Sequence, residues 1–381
     1  MTHRCPVCSG SGLEVFFELA GVPTHCNVLH ETEQSARSAP RGDIRLGFCR
    51  ACGMIRNVAF DPARMEYGAA YENALHGSAR FRRYAEDLAA QLRQRHGLDE
   101  ARIVEIGCGD GHFLRLLCRG PGNRGWGFDP ACAAGSDGAV ALVAEPFTAG
   151  GVAGSVDFVA CRHVLEHIES PAAFLDEVRR AAPDATLYFE VPDARWTLER
   201  GGIWDVLYEH CSYFTPASLA RLFTGAGLIV TRTGSAFGGQ FLQLEAAPAG
   251  AATTQAPPEN VAECARRVDS FRADYDEKAS RWRERLGELR ATGRRVALWG
   301  AGTKGVMFLN CVDTDRQAAC VVDINAKKQG MHVAGTGQRI VAPDALAEFR
   351  PDVVLVMNPN YRDEIGARLD DLGVRAELEA A

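Results

Sequence analysis

The sequence predicts an α/β protein in three parts: a small zinc-binding domain over residues 1–78, a Rossmann-like domain over 79–250, and a second Rossmann-like domain over 251–381. Three observations carry this expectation. Two C-x-x-C pairs lie near the amino terminus. The run VEIGCGDGHFL at 104–114 is an apolar strand entering a helix through glycines. A second such turn, LWGAGTKGVMFL at 298–309, follows AAPAGAATTQAPPEN at 246–260, a stretch with linker chemistry.

Size and composition support the division. A chain of 381 residues is too long for one ordinary core, and 46% hydrophobic with 24% charged residues is an ordinary globular balance. A formal charge of −7 opposes an extended nucleic-acid surface, which needs cations that displace counterions. The opening MTHRCPVCSG has no apolar signal core, and no apolar run reaches the ~18 residues of a membrane span. The expected setting is the cytoplasm, without a membrane or nucleic-acid partner, and the oligomeric state is open. Thirteen cysteines, an odd number spread through apparent core segments, suit a reducing compartment.

Taken in order, Cys5 and Cys8 in CPVC and Cys49 and Cys52 in CRACG are two knuckles, each followed closely by glycine. Four thiolates so supplied suit a tetrahedral zinc ion that adds folding energy to a segment with little core of its own. A closed set of four sulfurs leaves no open position, so the expected role is structural. Cys26 has no second thiol nearby and stays outside the set. FRRYAEDLAAQLRQRHG at 81–97 reads as an amphipathic helix. Val261, Cys264, Val268, Phe271, Tyr275, Ala279, Trp282, Leu286 and Leu289 form a stripe along a second, long helix expected to join the last two domains.

At the first glycine turn the strand ends near Glu105, and Gly107, Gly109 and Gly111 open the helix, whose amino end favours a negative group. Asp129 ends the next strand, WGFDP, where a carboxylate can accept from both ribose hydroxyls. VDFVACRHVLEHI then reads as a fourth strand running into a loop. This succession resembles the class I S-adenosylmethionine-dependent methyltransferases. The resemblance places Glu105 by the methionine amino group, Gly107 and Gly109 at the turn, Asp129 on the ribose, Glu145 and Phe147 at the adenine, and His163 among the cofactor-binding residues.

VLYEHCSYFT at 206–215 follows the strand TLYFEVP and so occupies the carboxyl edge of the sheet, where ligands bind in open α/β folds. With the cysteine pairs and the last glycine turn, this loop resembles the sugar C-3-methyltransferases that act on nucleotide carriers. That resemblance implies His210 as base beside Glu209, His167 and Tyr71 as further catalytic residues with Tyr67 as a rival to Tyr71, and Tyr208 and Tyr213 on the substrate side. Where the family has Y-H-E-H, this chain has Leu207 and Tyr208 before Glu209 and His210, so one substrate contact is absent or moved. The chemistry gives a reason for these residue types: methylating carbon next to a ketone requires removing a proton and holding an enolate, tasks for imidazole and a hydroxyl donor.

The second turn, with Gly300, Gly302 and Asp323, has the spacing of a dinucleotide site. Three readings stay open: NAD binding, a scaffold without ligand, or a nucleotide-sugar site in which Lys304 meets the diphosphate. The resemblance adds Lys328, Asn358 and Asn360 to that site. The expected function is transfer of methyl from S-adenosylmethionine to carbon of a nucleotide-linked ketosugar. Methylation of another small molecule on the same frame is an alternative, and a zinc-ribbon binding protein is a rival from another class.

Overall fold

A computed structural model of the chain describes residues 4–65, 67–68, 70–152, 154–249, 261–313 and 316–381. Residues 250–260, most of the expected linker, lie outside the described residues. Three sheets organise the rest. In the first, antiparallel sheet, strands Glu14–Pro23, Arg41–Phe48 and Ile55–Asn57 are joined by a strand from much later in the chain, Ser212–Tyr213. Ser212 pairs with Arg56 and Tyr213 with Ile55, which ties the Glu209–His210 loop to the cysteine-rich segment. The boundary at residue 78 therefore divides the chain but not the sheets.

The second sheet has eight strands. Its parallel centre starts at Arg102–Ile106, continues through Arg124–Phe128 and Val140–Val143 on one side, and returns through Phe158–Arg162 and Thr186–Pro192 on the other. That reversal leaves a crevice at the carboxyl ends of 102–106 and 158–162, the switch point of a doubly wound, Rossmann-like sheet. An antiparallel hairpin, Leu228–Ala236 and Phe241–Pro248, closes one edge. All five residues of Phe158–Arg162 are buried, as helices on both faces require of a central parallel strand. The third sheet is parallel throughout: Ile340–Val341, Ala318–Val322, Val296–Trp299, Val353–Val356 and Glu377–Ala380.

Each glycine turn has a steric reason. Gly107 holds φ at +74°, and a Cβ there would stand 2.1 Å from Val164 Cγ2. A Cβ on Gly305 would meet the Gly300 carbonyl oxygen at 2.0 Å, so glycine lets the helix Thr303–Cys311 close onto its strand.

Helix Ala79–His96 begins at Ser78, whose side chain accepts from the Phe81 N–H, and ends at Gly97 in the left-handed region. The long helix Val261–Ala291 buries the expected stripe, with Val261 and Trp282 partly covered. Its partners include the second part of the chain, where Lys278 donates to the Gly201 carbonyl at 2.8 Å, and extend beyond it. Phe271 and Tyr275 pack on Phe17 at 5.2 and 4.7 Å between ring centres, and Trp282 packs on Phe308 at 5.6 Å, so the helix bridges the first and third sheets. Among the described residues, no helix is long and apolar enough to cross a membrane.

Candidate active site

Cys5, Cys8, Cys49 and Cys52 converge. Cys5 and Cys52 sulfurs lie 3.5 Å apart, those of Cys8 and Cys49 3.6 Å, and all four fall within 4.8 Å of one another. Four sulfurs bonded to one zinc at about 2.3 Å stand about 3.8 Å apart, so the donor set fits the ion. The backbone reinforces this: the N–H groups of Cys52 and Gly53 both donate to the Cys49 carbonyl, forming a tight knuckle.

At the first glycine turn, the Asp129 carboxylate accepts from the Gly109 N–H at 2.9 Å and the Ala131 N–H at 2.8 Å. The acid expected on the ribose thus also holds the turn. Gly109, at φ +52°, has nothing within 4 Å of where a Cβ would point, leaving the approach to its backbone open. Glu105 is buried, and burial pushes its carboxyl up to about 8 against the pull of Arg162. Its Oε2 has no hydrogen-bond partner among the described residues. An orphaned buried carboxylate, an open glycine backbone and an aspartate at the next strand end together fit a ligand bearing an ammonium and a ribose. Phe147 packs edge-on against Phe128 at 5.4 Å, whereas Glu145 is exposed.

A cleft of about 770 Å³ opens beside this turn, between the carboxyl edge of the second sheet and the second glycine turn. Tyr71, His163, Glu166, His167 and His210 line one wall; Gly300, Gly302, Lys304, Lys328 and Asn358 line the other. Glu105, Gly107, Gly109, Asp129, Glu145 and Phe147 do not line it. His163 sits at φ +56°, rare for a side-chain-bearing residue, with Nε2 3.1 Å from Glu190 Oε1 and its ring edge-on to Phe241 at 4.4 Å. Glu190 in turn takes Arg162, Tyr84, Tyr188 and Gln243, making a buried polar knot under this wall.

His210 and His167 meet edge to face at 4.9 Å between ring centres. Burial first, then His167 and Lys304, hold the His210 imidazole well below its usual range; burial lowers His167 to about 4. Both rings are therefore neutral near pH 7. Glu209 is fully buried but does not serve His210. Its carboxylate accepts from the Cys26 N–H at 3.0 Å and the Tyr71 hydroxyl at 2.8 Å, which offset a burial that raises its pKa. Of the two tyrosines, Tyr71 lines the cleft and Tyr67 does not. Tyr67 bonds His167 Nδ1 at 2.9 Å, and that nitrogen also lies 3.1 Å from the Glu209 carbonyl.

The substrate-side expectations divide. Lys304 lines the cleft, but its ammonium is already 2.6 Å from Asp205 Oδ1. Lys328, buried, donates to Asn27 Oδ1 and the Ala301 carbonyl, and desolvation lowers its pKa. Asp323 accepts from the N–H groups of Ala301 and Asn325, the same arrangement as Asp129 around the first turn. Asn358 donates to Gln240 at 2.9 Å. Three residues must be corrected. Tyr208 is a core residue: its ring fills the space left by Gly42, and its hydroxyl accepts from the Asp61 N–H at 3.1 Å. Tyr213 does not line the cleft; its hydroxyl accepts from the Leu207 N–H and donates to the Leu207 carbonyl, closing the loop that presents His210. Asn360 donates to the Phe237 carbonyl at 2.8 Å and braces the hairpin.

Sequence reasoning missed Asp205, Glu166 and Glu190. An acid inside the apolar strand TLYFEVP was a usable signal for Glu190, and Glu166 stood unremarked in VLEHI. Nothing local marked Asp205.

Two family models match the chain: one described as a methyltransferase domain, over residues 76–233, and one described as a C-methyltransferase C-terminal domain, over 254–376. The chain is similar to C-methyltransferase NovU of Streptomyces niveus, 32% identical over 295 residues, a span of 71% of this chain and 70% of that protein. It is also similar in part to a solved SAM-dependent methyltransferase from Aquifex aeolicus, with 18% identity over 42% of this chain and 88% of that one at a TM-score of 0.33. Magnesium protoporphyrin IX methyltransferase from Synechocystis PCC 6803, with 18% identity over 45% and 80% of the two chains, has the same score. Likenesses that small add nothing to the comparison.

Proposed function

From the premise that this chain belongs to the S-adenosylmethionine-dependent C-methyltransferases, we propose that its acceptor is a carbon next to the keto group of a nucleotide-linked sugar. The observation that carries the reading is one continuous cleft with neutral His210 on one wall and the glycine turn of Gly300, Gly302 and Lys304 on the other. A diphosphate suits the second wall, where backbone N–H groups at a helix start and a lysine converge. A ketone suits the first.

Bound S-adenosylmethionine supplies a methyl group already activated on a sulfonium; Glu105, the Gly107–Gly109 turn and Asp129 are the residues to hold it, with Glu145 and Phe147 toward the adenine. His210 removes the proton from the acceptor carbon, a step for which an uncharged imidazole at a water-poor wall is suited. Tyr71 is the donor to the enolate oxygen, turning to it the one proton that it otherwise gives to Glu209, and Glu209 places that hydroxyl rather than orienting His210. His167, with Nδ1 engaged by Tyr67 and the Glu209 carbonyl, positions the base by edge-to-face packing. His163 supports the wall between this group and the cofactor crevice. Lys304, released in part from Asp205, and Lys328 are assigned to the diphosphate, with Asn358 at the cleft rim. The four cysteines are assigned a structural zinc ion.

The test is direct. Incubation with S-adenosylmethionine and a panel of nucleotide-linked 4-ketosugars should yield one product heavier by a single methyl group. His210→Ala should retain cofactor affinity while losing exchange of the acidic sugar proton with deuterated water. No methyl gain on any member of the panel, or undiminished exchange in the variant, overturns the reading.

A further inference from the structure

We propose that Glu166, His167 and His210 form a transition-metal site in the cleft, and that a divalent ion of the zinc or cobalt class held there blocks the base. The blocking half rests on His210 acting as proposed above; the binding half does not. Each of the three residues offers one ligand atom, and these atoms lie within 4.8 Å of one another. Donors on a single ion with bonds near 2.1 Å stand roughly 3–3.5 Å apart, so small side-chain movements complete the set.

Three features point to a ligand. First, Glu166 is 98% buried, being only 2% exposed, yet its Oε2 has no hydrogen-bond partner among the described residues. Its nearest ion-pair contact is His163 Nδ1, 3.8 Å away and on the other oxygen, Oε1. A buried carboxylate oxygen without a donor is costly, and a cation is one way to relieve it. Second, His167 Nδ1 faces the Glu209 carbonyl and the Tyr67 hydroxyl, at 3.1 and 2.9 Å. An N–H directed at a carbonyl orients the imidazole so that its other nitrogen presents a lone pair, the arrangement that supports metal-bound histidines. Third, all three residues line the cleft, so an ion held by them keeps open positions for water or a ligand oxygen. Two imidazoles and one carboxylate with open positions select borderline transition ions over magnesium or calcium.

The consequence follows from the lone pair of His210. That nitrogen holds a metal or takes a proton, not both. Ion binding and proton removal at this wall are mutually exclusive, which makes the enzyme sensitive to free transition metal at a place distinct from the cysteine cluster.

The experiment uses the full chain with its cysteine cluster filled with zinc, titrated with cobalt(II). The expected result is one further equivalent of bound cobalt, with visible absorption lacking thiolate charge transfer, and loss of proton exchange in parallel with binding. Glu166→Gln, close to isosteric, should weaken cobalt binding at least ~10-fold and relieve the inhibition by the same factor, with the cysteine-bound zinc retained. His167→Gln provides a second ligand variant with the same binding readout. No second equivalent, or equal cobalt affinity in both variants and the parent, overturns the site; cobalt bound without loss of exchange overturns the block. An enzyme that never exchanges the sugar proton, even free of cobalt, overturns the preceding functional reading, while the absorption titration still decides the metal site.

Discussion

His210 sits where burial first, and then the neighbouring His167 and the Lys304 ammonium, disfavour its charged form. A base acts when neutral, so the sign is clear: activity is present above the lowered pKa and lost as pH falls through it. The acid limb of kcat/KM should lie below the ordinary imidazole value of about 6.5. A pH–rate profile with its acid limb at or above that value would contradict the assignment. Lys304 poses a different problem, because Lys304→Met removes the proposed diphosphate contact and also strands the carboxylate of Asp205. Breaking a buried pair from one side costs about 3 kcal/mol. The double variant Asp205→Asn with Lys304→Met should recover most of that loss in urea unfolding, yet still bind nucleotide-sugar weakly by calorimetry. If affinity returned along with stability, the lysine would belong to the scaffold and not to the diphosphate.

Elements carry the next set of consequences. The helix Thr303–Cys311 approaches its strand so closely that Gly305→Ala must displace the Gly300 carbonyl, which a Cβ would meet at 2.0 Å. The expected destabilisation is about 2 kcal/mol, read as a lower urea midpoint, because overpacking a closed turn forces backbone movement. The cysteine cluster joins the knuckle at 5–8 to the one at 49–52, next to a short strand, Ile55–Asn57, that also pairs with Ser212–Tyr213. Metal analysis should find close to one zinc per chain. Its removal by a chelator should lower thermal stability and loosen the His210 loop, visible as faster amide exchange at 207–213. Unchanged exchange there would mean that the cluster and the loop are uncoupled.

Across the whole molecule, polar clamps tie the two sides of the cleft together. Glu364, on the third sheet's side, accepts from the Ser78 hydroxyl at 2.6 Å and the Ala79 N–H at 2.9 Å, satisfying the free amino end of helix Ala79–His96. Lys327 pairs with Glu72 at 2.7 Å, and Asn358 and Asn360 grip Gln240 and Phe237. Glu364→Ala should cost about 1 kcal/mol of stability and raise KM for the sugar nucleotide while leaving S-adenosylmethionine affinity unchanged. An unchanged KM would show that this clamp does not govern the cleft.

The sequence by itself determined the parts whose physics is local. Cysteine spacing, glycines at strand-to-helix turns, an aspartate ending the following strand, and a three-to-four-residue apolar stripe all encode short-range geometry, and they were legible without a structure. Tertiary structure alone decided which way side chains face. Glu209 turns from its neighbour His210 toward Tyr71 and Cys26, 138 and 183 residues away in the chain, and Lys304 finds Asp205 across 99 residues. Tyr208 is drawn into the core because Gly42, on a distant strand, leaves room for its ring. Such choices depend on which surfaces the folded chain brings together, where burying a charge or a ring is settled by partners that no local spacing records.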